Sequence, residues 1–302
     1  MPDIDDLRRM SVAEMIGWLT ANGEPDDPRT DIDTASLVRR FPRLAGVQIT
    51  DRSVPGPRGD LPTRIYSDPA STPTGFGLVW FHGGGFVGGT LDMPESHWVS
   101  MELAARGIPV VAADYTKCLG GVHYPAPSDD ALAVFADVRQ KSMELLGVPP
   151  QRLLLGGASA GSALAAGAVE RRRRAGNDVP AGLLLVYPAL HPSSTHPGQE
   201  PDAAAPHGQL ALNFAGSAEA LADPCVFPGL GDGYGCPPTL VVVCEEDDLR
   251  PSGEAFAETL RTANVAVELY LERDAHHGHI DRPELPEAHR TLDRVTEWVG
   301  RL

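Results

Sequence analysis

The segment Leu153-Leu154-Leu155-Gly156-Gly157-Ala158-Ser159-Ala160-Gly161 carries the fold of this 302-residue chain. Three leucines make a short apolar strand, an alanine-rich helical stretch follows, and Gly157-x-Ser159-x-Gly161 spans the turn between them. In a strand–turn–helix context this is the pattern of a nucleophile elbow. The requirement is steric: a serine on a strained turn needs small residues two places to either side, so that strand and helix can approach closely. Ser159 Oγ then projects above the carboxyl edge of the sheet, near the positive end of the helix. A purely structural strand–helix turn fits the same glycines. A dinucleotide fingerprint does not, because it requires G-x-G-x-x-G.

Outward from this turn, short apolar runs alternate with helical ones. Strands are expected at 76–81, 108–113, 153–156, 183–187, 240–244 and 267–271, and helices at 94–106, 129–146, 160–174, 252–263 and 286–299. Ser128 is the expected N-cap of the second helix, with Asp129 and Asp130 in its first turn. Continuous apolar strands alternating with helices predict a mostly parallel sheet covered on both faces. Upstream, 47–54 and 63–67 flank Pro55-Gly56-Pro57-Arg58-Gly59 and read as an edge hairpin, which brings the sheet to eight strands. Residues 1–41 carry two helical patterns separated by the breaker at 22–28. Trp18, Met10 and Met15 read first as packing residues. The stretch 190–238, rich in Pro, Gly and Ala, holds one expected helix near 207–221. An insertion that long between strands is more often a functional lid than a structureless loop.

The strand ending at Phe81 runs into His82-Gly83-Gly84-Gly85-Phe86. Glycines let bare backbone N–H groups turn inward toward a carbonyl oxygen. His82 reads as a residue holding the loop's shape rather than a base, and Phe86 as a substrate contact. A serine needs a base, and the base needs an orienting carboxylate, in the chain order Ser, acid, His. After the strand at 240–244 come Glu245-Glu246-Asp247-Asp248, at the strand end where ligands bind. After 267–271 come His276-His277-Gly278-His279. His277, the one followed by Gly278, is the candidate base, and His276 and His279 are wall or surface residues. Cys244 reads as core. No metal-ligand pattern such as H-E-x-x-H occurs.

Composition narrows the classes. Asp and Glu total 41 against 25 Lys and Arg, for a formal net charge of −16. A surface that acidic repels phosphate backbones and anionic headgroups, so nucleic acid is not an expected partner. Arg171-Arg172-Arg173-Arg174 reads as a solvated helix end, where cations meet the negative dipole. No apolar run approaches the roughly 20 residues that span a bilayer. The acidic start lacks the layout of a secretory signal, and the four cysteines are too irregularly spaced for a disulfide framework or a zinc site. The expectation is a cytoplasmic protein with reduced thiols.

Taken together, His82–Phe86, Gly157–Gly161, Asp247-Asp248-Leu249-Arg250 and His277-Gly278 resemble the hormone-sensitive-lipase-like branch (bacterial family IV) of the α/β-hydrolase superfamily. Asp114-Tyr115 with His123-Tyr124-Pro125-Ala126, and Asp223-Pro224, fit the same pattern, over roughly residues 45–300. The resemblance implies an α/β-hydrolase fold with a triad of Ser159, Asp247 and His277, Asp248 and Glu246 being the alternative acids. It implies oxyanion donors at the N–H groups of Gly84, Gly85 and Ala160. It also implies a small helical cap from residues 1–45 and the 190–222 insertion, on a catalytic domain of 46–302. Three departures bear on substrate choice. Ala158 stands where the family commonly has Asp, Thr116–Gly121 replaces an Arg-Leu-Ala-Pro stretch, and His279 replaces an aromatic. The expected activity is that of a serine carboxylesterase on small or short-acyl esters, without a cofactor and compatible with a homodimer. The alternatives are an amide or N-formyl hydrolase, a deacetylase of a specialised metabolite, or a catalytically silent binder.

Overall fold

A computed structural model describes residues 7, 9–23, 25, 33–193, 202 and 205–302. The acidic opening 1–6, most of the breaker, and most of 194–204 within the 190–222 insertion lie outside these residues. The chain folds as an eight-stranded sheet of β1 (Gln48–Gly56), β2 (Gly59–Ser67), β3 (Gly77–Phe81), β4 (Val110–Ala113), β5 (Leu153–Ala158), β6 (Leu183–Val186), β7 (Thr239–Glu246) and β8 (Val267–His276). Their order is β1-β2-β4-β3-β5-β6-β7-β8; β1 and β2 form an antiparallel hairpin, β2 meets β4 antiparallel, and all further neighbours are parallel.

Helices cover both faces. The described ones are α1 (Val12–Asn22), α2 (Thr34–Arg40), α3 (His97–Ala105), α4 (Ala126–Gln140), α5 (Ser142–Leu146), α6 (Ala160–Arg174), α7 (Pro206–Ala215), α8 (Arg250–Thr262) and α9 (Pro286–Val299). Side chains of successive strand residues point to opposite faces, so the apolar strands feed two separate cores. Val79, Phe81, Leu153, Leu155, Val241 and Val243 pack with Val134, Phe135, Leu164 and Phe256 of α4, α6 and α8. Leu78, Trp80, Leu154, Leu240 and Val242 pack with Trp98, Met101, Leu292 and Val295 of α3 and α9. Burial on both faces is why these strands are apolar throughout instead of alternating.

The topology places a crevice between β3 and β5. β3 connects through α3, on one face, to β4; its neighbour β5 connects through α6, on the other face, to β6. The chain leaves these two adjacent strand ends in opposite directions, which opens the space where ligands bind in α/β sheets. The crossing of β5 and α6 is tight. A Cβ on Gly157 would lie 2.4 Å from the Gly161 carbonyl carbon, and one on Gly161 would lie 2.1 Å from the Phe81 oxygen.

Several boundaries differ from expectation. The helix expected at 129–146 begins at Ala126 and breaks at Lys141 into α4 and α5, and Ser128 lies buried within the first turn instead of capping it. Pro127 supplies the preset φ of a first turn. Asp130 is turned away from the dipole, accepting from Arg58 (2.8 Å) and from the Thr116 N–H (2.8 Å). The helix expected at 207–221 ends at Ala215, where Gly216 takes the left-handed conformation. Of the N-terminal pair, α1 lies against α7, whereas α2 packs on the α3 side through Leu37. The arginine run is neutralised locally: Arg171 pairs with Asp129, Arg172 donates to the Asp178 carbonyl, and Arg173 and Arg174 share Glu170. No described helix is long and apolar enough to cross a membrane.

Two outcomes follow from this packing. Gly161→Ala forces a methyl into the Phe81 backbone and should cost about 3 kcal/mol, whereas Gly176→Ala, with open space but φ +67, should cost only about 1–2 kcal/mol; urea unfolding of both variants compares them. His97 sits between the Tyr66 hydroxyl (2.9 Å) and the Thr34 hydroxyl (3.0 Å), and burial, helped by Arg64, lowers its pKa to about 4. The unfolded imidazole takes up its proton near pH 6.5. Below that pH the unfolded state holds more protons, so stability falls as pH drops from about 6.5 to about 4. His97→Gln should flatten that part of the unfolding free energy versus pH curve; an unchanged slope would refute the role of His97.

Candidate active site

β5 delivers Ser159 at φ +51, ψ −117, a strained conformation held by the Ser159 N–H bond to the Val186 carbonyl (2.9 Å). β7 ends at Glu246, so Asp247 is the first residue beyond the strand, and its Oδ1 accepts from the Leu249 N–H (2.9 Å). β8 ends at His276, and the left-handed Gly278 turns the chain immediately after His277. These three strand ends bring the three side chains together. His277 Nε2 lies 2.9 Å from Ser159 Oγ, and Nδ1 lies 2.9 Å from Asp247 Oδ2. A carboxylate only accepts, so the proton sits on Nδ1 and the bare Nε2 accepts from the serine hydroxyl. The Asp247 side chain is 3% exposed and that of His277 39%, so the carboxylate is sealed behind an imidazole that faces the cleft.

Glu246 and Asp248, the alternative acids, are exposed, and the carboxylate bonded to His277 is that of Asp247. His276 is exposed. His279, expected on the wall or surface, is instead core: its ring bonds Cys244 Sγ (3.3 Å) and Thr291 Oγ1 (2.7 Å) and meets the Tyr187 ring edge-on. Burial, with His277 nearby, lowers its pKa to about 4, so it stays neutral and behaves like the aromatic it replaces.

The glycine loop after β3 is pinned through its carbonyls. A trans peptide plane points its C=O and the next N–H in opposite directions. The Gly83 carbonyl accepts from the Tyr115 hydroxyl (2.9 Å) and from His82 Nδ1 (2.7 Å), which turns the Gly84 N–H to the other side. The Gly84 carbonyl accepts from the N–H groups of Val87 and Gly88 (3.0 Å each), which does the same for Gly85. Gly84 (φ +108) and Gly85 (φ +61) occupy backbone conformations that suit glycine. Among the described residues no acceptor takes up the N–H of Gly84 or Gly85, nor that of Ala160 in the first turn of α6. The loop touches the serine: a Cβ on Gly83 would lie 3.1 Å from Ser159 Cβ.

His82 is fully buried and stacks on Tyr115 (4.8 Å), its other nitrogen 3.2 Å from Asp114 Oδ1. Burial opposes the charge of Asp114, but the His82 hydrogen bond and the Lys117 ammonium hold its carboxyl well below the usual range. Phe86, the expected substrate contact, is 4% exposed and lies flat on Phe214 of α7 (3.8 Å), so its ring joins the loop to that helix. Leu210 of α7 packs on Gly85, and His207 bonds the His191 carbonyl (3.1 Å).

Two residues beside the site were not anticipated from sequence. Glu95 is buried and accepts from the Gly83 N–H and from the Tyr187 hydroxyl. Tyr187 in turn sets its ring 4.7 Å from that of His277. A lone acid at a predicted helix start and a tyrosine at a strand end look ordinary; the one available signal was that both lie just past strand ends or loops that build the crevice. No group of three or more His, Cys, Asp or Glu among the described residues is placed to hold a metal ion.

Known proteins share the fold and much of the sequence. A family model described as the α/β-hydrolase fold matches residues 78–281. The carboxylic ester hydrolase LipN of Mycobacterium tuberculosis is 32% identical over 256 residues, 78% of this chain and 65% of LipN. The carboxylesterase NlhH of the same organism is 32% identical over 293 residues, 93% of this chain and 90% of NlhH. A solved esterase from Pyrobaculum calidifontis superposes with a TM-score of 0.73 at 25% identity, covering 91% of this chain and 95% of that one. With the elbow, the glycine loop and the late acid and histidine all on their expected strand ends, the chain belongs to the α/β-hydrolase family, in its hormone-sensitive-lipase-like branch.

Proposed function

We propose that this hydrolase is a serine carboxylesterase acting on small, short-acyl esters through an acyl-enzyme. The observation that carries the reading is the hydrogen-bonded series Ser159–His277–Asp247, with both contacts at 2.9 Å, beside a loop whose Gly84 and Gly85 N–H groups have no acceptor among the described residues. Ser159 Oγ attacks the ester carbonyl as its proton passes to His277 Nε2. Asp247 holds the Nδ1 proton and stabilises the imidazolium. The carbonyl oxygen, now an oxyanion, receives hydrogen bonds from the N–H groups of Gly84, Gly85 and Ala160. Collapse breaks the bond to the alcohol, which leaves with the proton from His277. A water deprotonated by the same imidazole then attacks the acyl-serine and frees the acid.

The proposed cap comprises α1 and the segment containing α7. The crowding of Leu210 against Gly85, and of Phe214 against Phe86, favours short acyl chains. The net charge of −16 favours neutral substrates over anionic ones. The hydrogen bond from Ser159 to His277 supports a hydrolase over a silent binder.

On p-nitrophenyl acetate, Ser159→Ala should lower kcat by about five powers of ten and Asp247→Asn by about four. A folded Ser159→Ala protein turning over at a near-normal rate would overturn the reading. Across p-nitrophenyl esters from acetate to decanoate, kcat/KM should peak at four carbons or fewer; a maximum at eight or more would remove the short-acyl assignment.

A further inference from the structure

We infer that Glu95 is a positioning residue that holds the oxyanion loop and the catalytic imidazole in register through a single buried carboxylate. Its side chain is enclosed, at 3% exposure, in the space between the glycine loop and β6. One carboxylate oxygen accepts from the Gly83 N–H and the other from the Tyr187 hydroxyl. A Cβ built on Gly83 would lie 2.7 Å from Glu95 Oε1 and 3.1 Å from Ser159 Cβ, so the carboxylate and Ser159 both crowd the side of Gly83 where a side chain would stand. Tyr187, itself buried at φ +37, lays its ring against His277.

The carboxylate does two things at once. It takes up the Gly83 N–H, so the loop donors with no acceptor among the described residues are those of Gly84 and Gly85. It also fixes the phenol whose ring backs the imidazole. Both partners are donors, and an ionised carboxylate, which accepts on each oxygen, matches them without leaving a buried polar group unpaired. The position of Glu95 does not depend on its side chain: its N–H donates to Asp281 Oδ1 (2.9 Å) and its carbonyl accepts from Trp80 Nε1 (3.0 Å). Those main-chain ties would survive a side-chain substitution.

Glu95 touches neither the nucleophile's oxygen nor the place of the substrate carbonyl, so its loss should appear in kcat. This inference rests on the esterase reading of the site, and the test separates the two. Glu95→Ala, Glu95→Gln, Tyr187→Phe and the Glu95→Ala/Tyr187→Phe double variant are assayed on p-nitrophenyl acetate beside Ser159→Ala, with circular dichroism to verify folding. Glu95→Ala should lose about 100-fold in kcat, the size of one misplaced oxyanion donor, with KM within about threefold. Glu95→Gln should recover most of that loss, because its amide oxygen can accept from Gly83 while the Tyr187 hydroxyl turns to accept from the amide NH2. Tyr187→Phe should lose about tenfold, and the double variant should fall no further than about twofold below Glu95→Ala, since coupled residues are not additive. If Glu95→Ala does not fold, Glu95→Gln and Tyr187→Phe decide: Tyr187→Phe must lose kcat with KM unchanged while Glu95→Gln stays near wild type. Folded Glu95→Ala or Tyr187→Phe at the wild-type kcat, a loss confined to KM, or simple additivity would overturn the positioning role. A near-normal Ser159→Ala would overturn the esterase reading instead.

Discussion

Where β5 turns into α6, backbone meets backbone with no side chain between them. Gly157 faces the Gly161 carbonyl, and Gly161 faces the Phe81 oxygen at the end of the neighbouring strand. Any Cβ at either point would have to displace main-chain atoms that belong to the core. That contact fixes how far α6 stands from the sheet and holds Ser159 in its strained, positive-φ conformation. It also seats the end of β3 against the start of α6, so the glycine loop and Ser159 have a shared origin. The strain at Ser159 is offset by the cores on the two faces, where β3, β5 and β6 are buried along their whole lengths.

The departures from the family pattern are absorbed by the surroundings. Ala158 is fully buried in the apolar cluster with Leu154, Leu184 and Val186, a setting where a small apolar side chain needs no partner. Where the pattern has an arginine directly after Asp114-Tyr115, this chain has Thr116, and the next residue, Lys117, pairs with Asp114 and packs over the Tyr115 ring (3.9 Å). The Lys117 cation thus bears on the residues that hold His82 and the Gly83 carbonyl. His279 keeps an aromatic's shape and, being neutral, most of its chemistry.

Much of this was legible in sequence because it depends on local pattern. The elbow needs small residues at fixed offsets, and the strands need apolar runs, so the segment 153–161 and its neighbours revealed the sheet. His277 was marked by the glycine after it, which the turn beyond β8 requires. What was not legible depends on burial, which no local pattern encodes. His276, His277 and His279 are nearly adjacent, yet one is exposed, one lines the cleft and one is core. Phe86 follows the glycine loop and so looked like a substrate contact; its stack on Phe214 depends on a helix 128 residues away. The start of α4 was misplaced because Ser128 is a good cap in isolation, while Asp130 had partners in Arg58 and Thr116 that only the tertiary fold supplies.

The stack of Phe86 on Phe214 also ties chemistry to coverage. Phe86 follows directly on Gly84 and Gly85, and its carbonyl accepts from Cys118 N–H (2.7 Å), while Asn213 of α7 donates to the Cys118 carbonyl (2.9 Å). Tyr124 N–H closes the circuit on the Phe214 carbonyl (2.7 Å). Loop and helix therefore hold one another through both aromatic contact and main-chain bonds. A rigid-body displacement of α7 would have to break these bonds or carry the Gly84 and Gly85 amides with it. Residues of α7 that crowd Gly85 thus also bear on the geometry of the proposed oxyanion donors, and substitutions there should not be read as changes in pocket size alone.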